Sequence, residues 1–101
     1  MARSPRPRPA RLPEKLLKIR LALELSQDGM LRRLGLDERL SRTSVSAYEV
    51  GTSEPPLPVL LEYARIANVW VDVLIDDKLD LPATLPAAKK HEGVKRRQSK
   101  P

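Results

Sequence analysis

The chain has 101 residues and 41% hydrophobic content, enough for one small core, but with three aromatics and no Phe that core must be built from Leu, Val, Ile and Ala. It contains no cysteine, which excludes disulfides and thiolate metal sites, and no apolar run approaches the ~20 residues that a bilayer span requires. The net charge of +6 is carried by the two ends: residues 1–11 hold four arginines and no acid, residues 87–101 hold six cations against Glu92, and the middle is left at −3.

The first segment, residues 1–11, carries Arg3, Arg6, Arg8 and Arg11 among Pro5, Pro7 and Pro9. Proline at that density blocks helix and favours extended polyproline segments, so a disordered basic arm is expected. It leads into no apolar stretch of signal-peptide type, which argues against secretion. Residues 12–80 read as the folded domain. Pro13 suits the first turn of a helix running to about Leu25, with Leu16, Ile19 and Leu23 at helical spacing as its buried stripe. Ser26 is a good N-cap for a second helix, with Asp28 in the first turn near the positive helix end. Met30, Leu31 and Leu34 face inward, and Gly35 supplies the left-handed residue that stops the helix.

A third, short helix is expected over about 42–49, anchored by Val45 and Tyr48 and closed by Gly51. Glu54-Pro55-Pro56 is a stiff connector to a fourth helix, about 58–67, whose stripe is Leu60, Ala64 and Ala67. A fifth helix over about 71–77 precedes an extended LDLP segment. Residues 81–101 lack apolar periodicity at their basic end and read as a flexible tail. Each basic end is either a solubilising tail or a phosphate-binding arm. No segment alternates at period two over more than a few residues, so the fold class is all-α. The polar-started helix at 26–34, the turn, and the short helix at about 42–49 form a helix-turn-helix arrangement, in which the second helix can enter a DNA major groove.

Arg20, Leu25-Ser26-Gln27, Leu34-Gly35, Ser44-Val45-Ser46, Tyr48-Glu49-x-Gly51, Glu54-Pro55, Leu60, Ala64 and Val71-Asp72-x-Leu74 follow one another in that order. This succession resembles the lambda-repressor-like, XRE family of helix-turn-helix domains over about residues 12–78. The resemblance implies a five-helix domain that binds double-stranded operator DNA as a symmetric homodimer and regulates transcription in bacteria or phages, in the cytoplasm and at the nucleoid. It implies roles for particular residues. Gln27 matches a glutamine that contacts a DNA phosphate and braces helix 3, and a helix N-terminus suits that role. Arg42, Thr43 and Ser44 match the residues that approach base edges; Arg42 is the leading reader, because its planar fork fits O6 and N7 of guanine. Ser46 can touch a base or a phosphate. Ala47 stands where a long polar side chain is frequent and offers only apolar contact. Arg20 and Glu49 match a partly buried ion pair between helix 1 and the end of helix 3.

Three departures stand out. The link between helices 2 and 3, residues 36–41, is about four residues longer than a tight turn, and either lengthens the loop or adds a turn. Within it Arg39 can face DNA, whereas Asp37 and Glu38 point away. Leu31 stands where a small Ala is common, which demands a wider crossing. Trp70 stands where Ser or Thr caps helix 5; it cannot accept a capping hydrogen bond and is read as a packing residue, or else as an exposed anchor for a partner subunit. Leu79, Leu81 and Leu85 would be exposed in a monomer, so helix 5 and residues 79–85 are the expected dimer surface.

Competing functions find less support. His91 is the only histidine and lies in the basic tail, so no catalytic set and no enzyme is expected. Asp72, Asp76, Asp77 and Asp80 lack EF-hand spacing and read as an acidic face turned away from DNA, with no metal and no cofactor implied. The lack of stacking aromatics disfavours a single-strand RNA platform. The serious alternative is a protein-interaction module, antitoxin-like or an adaptor, binding a protein partner.

Overall fold

The computed structural model of the chain describes residues 8–86, which contain five α-helices. They are α1 Leu12–Ala22, α2 Gln27–Leu34, α3 Arg42–Val50, α4 Leu57–Ala67 and α5 Val71–Ile75. The expected all-α class and the five helices in their expected order are therefore present.

Each boundary has a local cause. Pro13 lies in the first turn of α1, where its missing N–H leaves no helix bond unmade. The helix ends at Ala22, short of the expected Leu25, because Glu24 turns left-handed at φ 59°. The Leu25 N–H then donates to the Arg20 carbonyl at 3.1 Å, and the Arg20 guanidinium donates to the Leu25 carbonyl at 3.0 Å. Those bonds offset the roughly 1–2 kcal/mol that a side chain costs in this conformation. Ser26 caps α2 as expected, its hydroxyl accepting from the Gly29 N–H at 2.9 Å. Gly51 closes α3 at φ 97°, and a Cβ there would meet Pro13 Cγ at 3.2 Å, so both backbone conformation and the approach of α1 call for glycine. Helix α5 stops at Ile75, two residues before the expected end, where Asp76 becomes extended.

The long link between α2 and α3 adds a turn. The Leu36 carbonyl accepts from the N–H groups of both Arg39 and Leu40 at 2.9 Å, and the side chains of Leu36 and Leu40 pack on the core. That core centres on Leu16, Ile19, Met30, Leu60, Tyr63 and Leu74, drawn from α1, α2, α4 and α5. Leu31 and Val45 are also buried, so the bulky residue at 31 is accommodated.

Three expectations are corrected. Trp70 is 83% exposed, so it is not a packing residue. The folded part extends beyond residue 80: Leu85 is buried and Leu81 packs against the core, so neither is left for a dimer surface, while Leu79 stays partly exposed. Residues 10 and 11 are held rather than loose. The N–H groups of Ala10 and Arg11 donate to the two Asp77 carboxylate oxygens at 2.9 Å each, and the Arg11 guanidinium donates to the Asp77 carbonyl at 2.9 Å and pairs with Asp80 at 2.6 Å. Asp77 and Asp80 thus bind the chain's own N-terminal side rather than forming a bare acidic face. Residues 1–7 and 87–101, with His91 and the rest of the two basic ends, lie outside the described residues.

This clamp gives a pH expectation. The backbone N–H groups of Arg11 and then Ala10 hold the Asp77 carboxyl below its ordinary value of 3.8, and the Arg11 guanidinium does the same to Asp80. The folded chain favours the charged carboxylates, so the clamp is complete above the ordinary carboxylate range and is lost as pH falls through the depressed values. The amide resonances of Ala10 and Arg11 should stay fixed from neutrality to about pH 5 and then shift together, with a midpoint below that of free aspartate. A midpoint at or above the free value would contradict the clamp.

Beneath it lies a residue that the apolar stripe had hidden. Lys15 is 1% exposed, and its Nζ donates to the carbonyls of Val73, Asp76 and Leu79 at 2.8, 3.0 and 2.7 Å. One ammonium thereby ties α1 to α5 and to the chain leaving it.

Candidate nucleic-acid interface

The site is built around the Glu49 carboxylate in the last turn of α3. Arg20 of α1 reaches it with two bonds, Nε to Oε2 at 2.7 Å and Nη2 to Oε1 at 3.0 Å. Gln27, the first residue of α2, donates its amide to the same Oε1 at 3.2 Å. Both ionic side chains are mostly out of water, at 15% exposure for Arg20 and 5% for Glu49. A fork-to-fork pair of this kind fixes orientation as well as distance. The Glu49 hydrogen bond raises the Arg20 pKa further above its already high value. Burial, followed by the nearby Glu49 charge, pushes the Tyr63 phenol upward. Three helices thus meet at one carboxylate, and α3 cannot rotate or slide without breaking the set. The expected Arg20–Glu49 pair is present; the Gln27 contact gives a brace between α2 and α3.

Val45 and Tyr48 turn into the protein, which leaves the opposite face of α3 outward. That face carries Thr43 and Val50, both exposed, with Ser46 and Ala47 half-buried beside them. Ser44 is half-buried on the flank. Arg42, in the first turn, is 69% exposed and rests 3.7 Å from Asp28 of α2. Exposed pairs contribute under about 1 kcal/mol, so this contact leaves the guanidinium available. Arg39 is exposed in the preceding turn, as are Asp37 and Glu38. The expected site residues therefore gather at one end of the molecule, on α2, the added turn and α3.

The charge around this face is mixed, with Arg39 and Arg42 set among Asp28, Asp37 and Glu38. Arg32 and Arg33, in the last turn of α2, are exposed as well. A further cation lies at the far end of α3, where Arg8, Pro9 and Ala10 line a cleft of about 200 Å³ with Tyr48, Gly51 and Ser53. Sequence reasoning missed this placement, because the bonds that create it join residues more than sixty positions apart. Lys15 was missed too, although a lysine among Leu12, Leu16 and Ile19 on one helical face was a usable signal.

Among the described residues there is no group of His, Cys, Asp or Glu suited to a metal ion, and no helix is long and apolar enough to cross a membrane. A second concave feature, an open groove of about 580 Å³, runs between the added turn and α4, lined by Leu34, Leu36, Leu40, Pro56 and Val59 with Arg39 and Glu62 at its edge.

No family model, curated protein or solved structure matches this chain.

Proposed function

We propose that the protein is a small, non-catalytic regulator of transcription that binds duplex DNA sequence-specifically, with α3 in the major groove. The observation that carries this reading is the bracing of α3. Arg20, Gln27 and Glu49 fix the helix from behind, while Arg42, Thr43, Ser46 and Ala47 remain accessible on or beside its outer side. A helix presented this way, with an arginine fork at its N-terminal turn, is what direct readout requires. Gln27 and Arg39 flank it as candidate phosphate contacts, and Ser44 borders its first turn. The thin reading surface implies modest selectivity, with much of the affinity coming from sequence-independent phosphate contacts.

Recovery of bound sequences from random duplex DNA at two salt concentrations tests the reading. An enriched motif that persists as salt rises supports it, and the absence of any enrichment sinks it. A palindromic motif would also support a symmetric dimer; with Leu81 and Leu85 folded inward, the exposed Trp70, Ile75 and Leu79 remain available to it near α5. The groove beside α4 favours a second reading, an antitoxin-like or adaptor module for a protein partner, to which a failed DNA selection would move the weight.

A further inference from the structure

We propose that the open groove between the added turn and α4 is the seat for Trp70 of a second copy of this chain, so that two copies pair by exchanging one tryptophan each. The inference stands apart from the DNA-binding reading, and neither needs the other. The seat is apolar, with Leu34, Leu36, Leu40 and Val59 along it, and at about 580 Å³ it has room for an indole ring. The anchor is the one tryptophan of the sequence. Trp70 is the most exposed of the large apolar side chains among the described residues. Its backbone is nonetheless fixed at the N-cap position of α5, where the Trp70 carbonyl accepts from the Val73 N–H at 3.0 Å. A large ring on a fixed backbone loses little further freedom on docking, and tryptophan is among the residues enriched in the anchors that dominate interfaces.

Charge and position favour a second copy as the occupant. Arg39 stands at the edge of the groove, and Asp72 follows Trp70 by two residues. Both are exposed, and among the described residues neither side chain has a partner. Seating the indole brings an unpaired acid to the rim that carries an unpaired base. The two features also lie towards opposite ends of α4. Pro56, Pro58 and Val59, at its start, line the groove, and Trp70 follows its last residue, Ala67, by three. A two-fold axis crossing the middle of α4 exchanges the ends of the helix, which is the relation that a reciprocal pair of contacts needs. Each indole buries roughly 150–250 Å², and with the walls it covers the two contacts remove roughly 600–1,000 Å² from water. Stable interfaces bury about 1,200–2,000 Å², so the pairing is weak and grows with protein concentration.

The single tryptophan makes the contact readable by fluorescence. Emission and sedimentation of the full chain are followed together, without DNA, across a wide range of protein concentrations. We expect the emission to move to shorter wavelength, as the indole leaves water, along the same curve by which monomer gives way to dimer. Pro58→Glu puts a charge at an exposed position of the groove, in the first turn of α4, where a helix favours an acid. It and Trp70→Ala should each weaken association by at least roughly thirtyfold. Mixing these two variants restores one of the two contacts. Only the Pro58→Glu chain then carries a tryptophan, so its emission should shift when the Trp70→Ala chain is added. Arg39→Asp and Asp72→Arg should each weaken pairing by roughly three- to tenfold, and the double variant should return to within about threefold of wild type. That charge exchange uses exposed positions only, so it decides the matter even where Pro58→Glu does not fold. A chain that stays monomeric throughout, a dimer indifferent to folded Pro58→Glu, or a double reversal no stronger than the single ones would overturn the inference.

Discussion

Replacing Glu49 with alanine should lower the unfolding free energy by about 3–5 kcal/mol, a large share of the ~5–15 kcal/mol typical of a folded domain. The size follows from what is left behind. Arg20 is mostly buried and loses both bonds of its fork, keeping only the Leu25 carbonyl, and the Gln27 amide loses its acceptor. A buried guanidinium without its carboxylate is worse than no ion pair at all. Glu49→Gln, which keeps the shape and one acceptor, should cost less, and Arg20→Met less than Arg20→Ala. Urea unfolding reads the effect as a lower midpoint at an unchanged slope. A loss below about 1 kcal/mol would mean that the three-helix lock behaves as a surface pair and does not hold α3.

The second large effect is at Lys15. Lys15→Met keeps the apolar stem and removes the ammonium, so the carbonyls of Val73, Asp76 and Leu79 lose their common donor. An unsatisfied buried polar group costs ~1–3 kcal/mol, and partial access of water to the three carbonyls brings the expected total to about 3 kcal/mol. The loss should be local as well as global. Hydrogen exchange should rise first in α5 and in the chain up to Leu85, because the lysine is the tie that holds them to α1. Equal stability of Lys15→Met and wild type would show that the methylene packing alone holds these segments together.

These two residues mark the limit of what short-range rules made legible. Helix order, the Ser26 cap, the glycine stops at 35 and 51, and the inward residues of α2 and α3 follow from short-range rules, and all stand in the structure. The Arg20–Glu49 pair was reached only through the family resemblance, since nothing local links positions 29 apart. The misread features share one physical cause. The early end of α1 depends on a left-handed glutamate stabilised by Arg20, the burial of Leu85 depends on the chain folding back, and the Asp77 clamp depends on backbone groups of residues 10 and 11. Tertiary partners decide each of these, and periodicity carries no record of them. Trp70 is different: a large apolar side chain in sequence suggests burial, yet here it stands in solvent at the start of α5.

Helix α3 is therefore well braced, and under the proposed function its reading surface is thin, with Arg42 as the one forked donor in its first turn. The most direct test is selection from random duplex DNA with the wild type and Arg42→Ala side by side. The wild type should enrich a motif containing a required guanine. Arg42→Ala should lose the preference at that position alone, by about 1–3 kcal/mol, while its salt slope changes by no more than about 0.9, the value of a single phosphate. An identical motif from both proteins, guanine included, would contradict the assignment of α3 as the reading helix through Arg42.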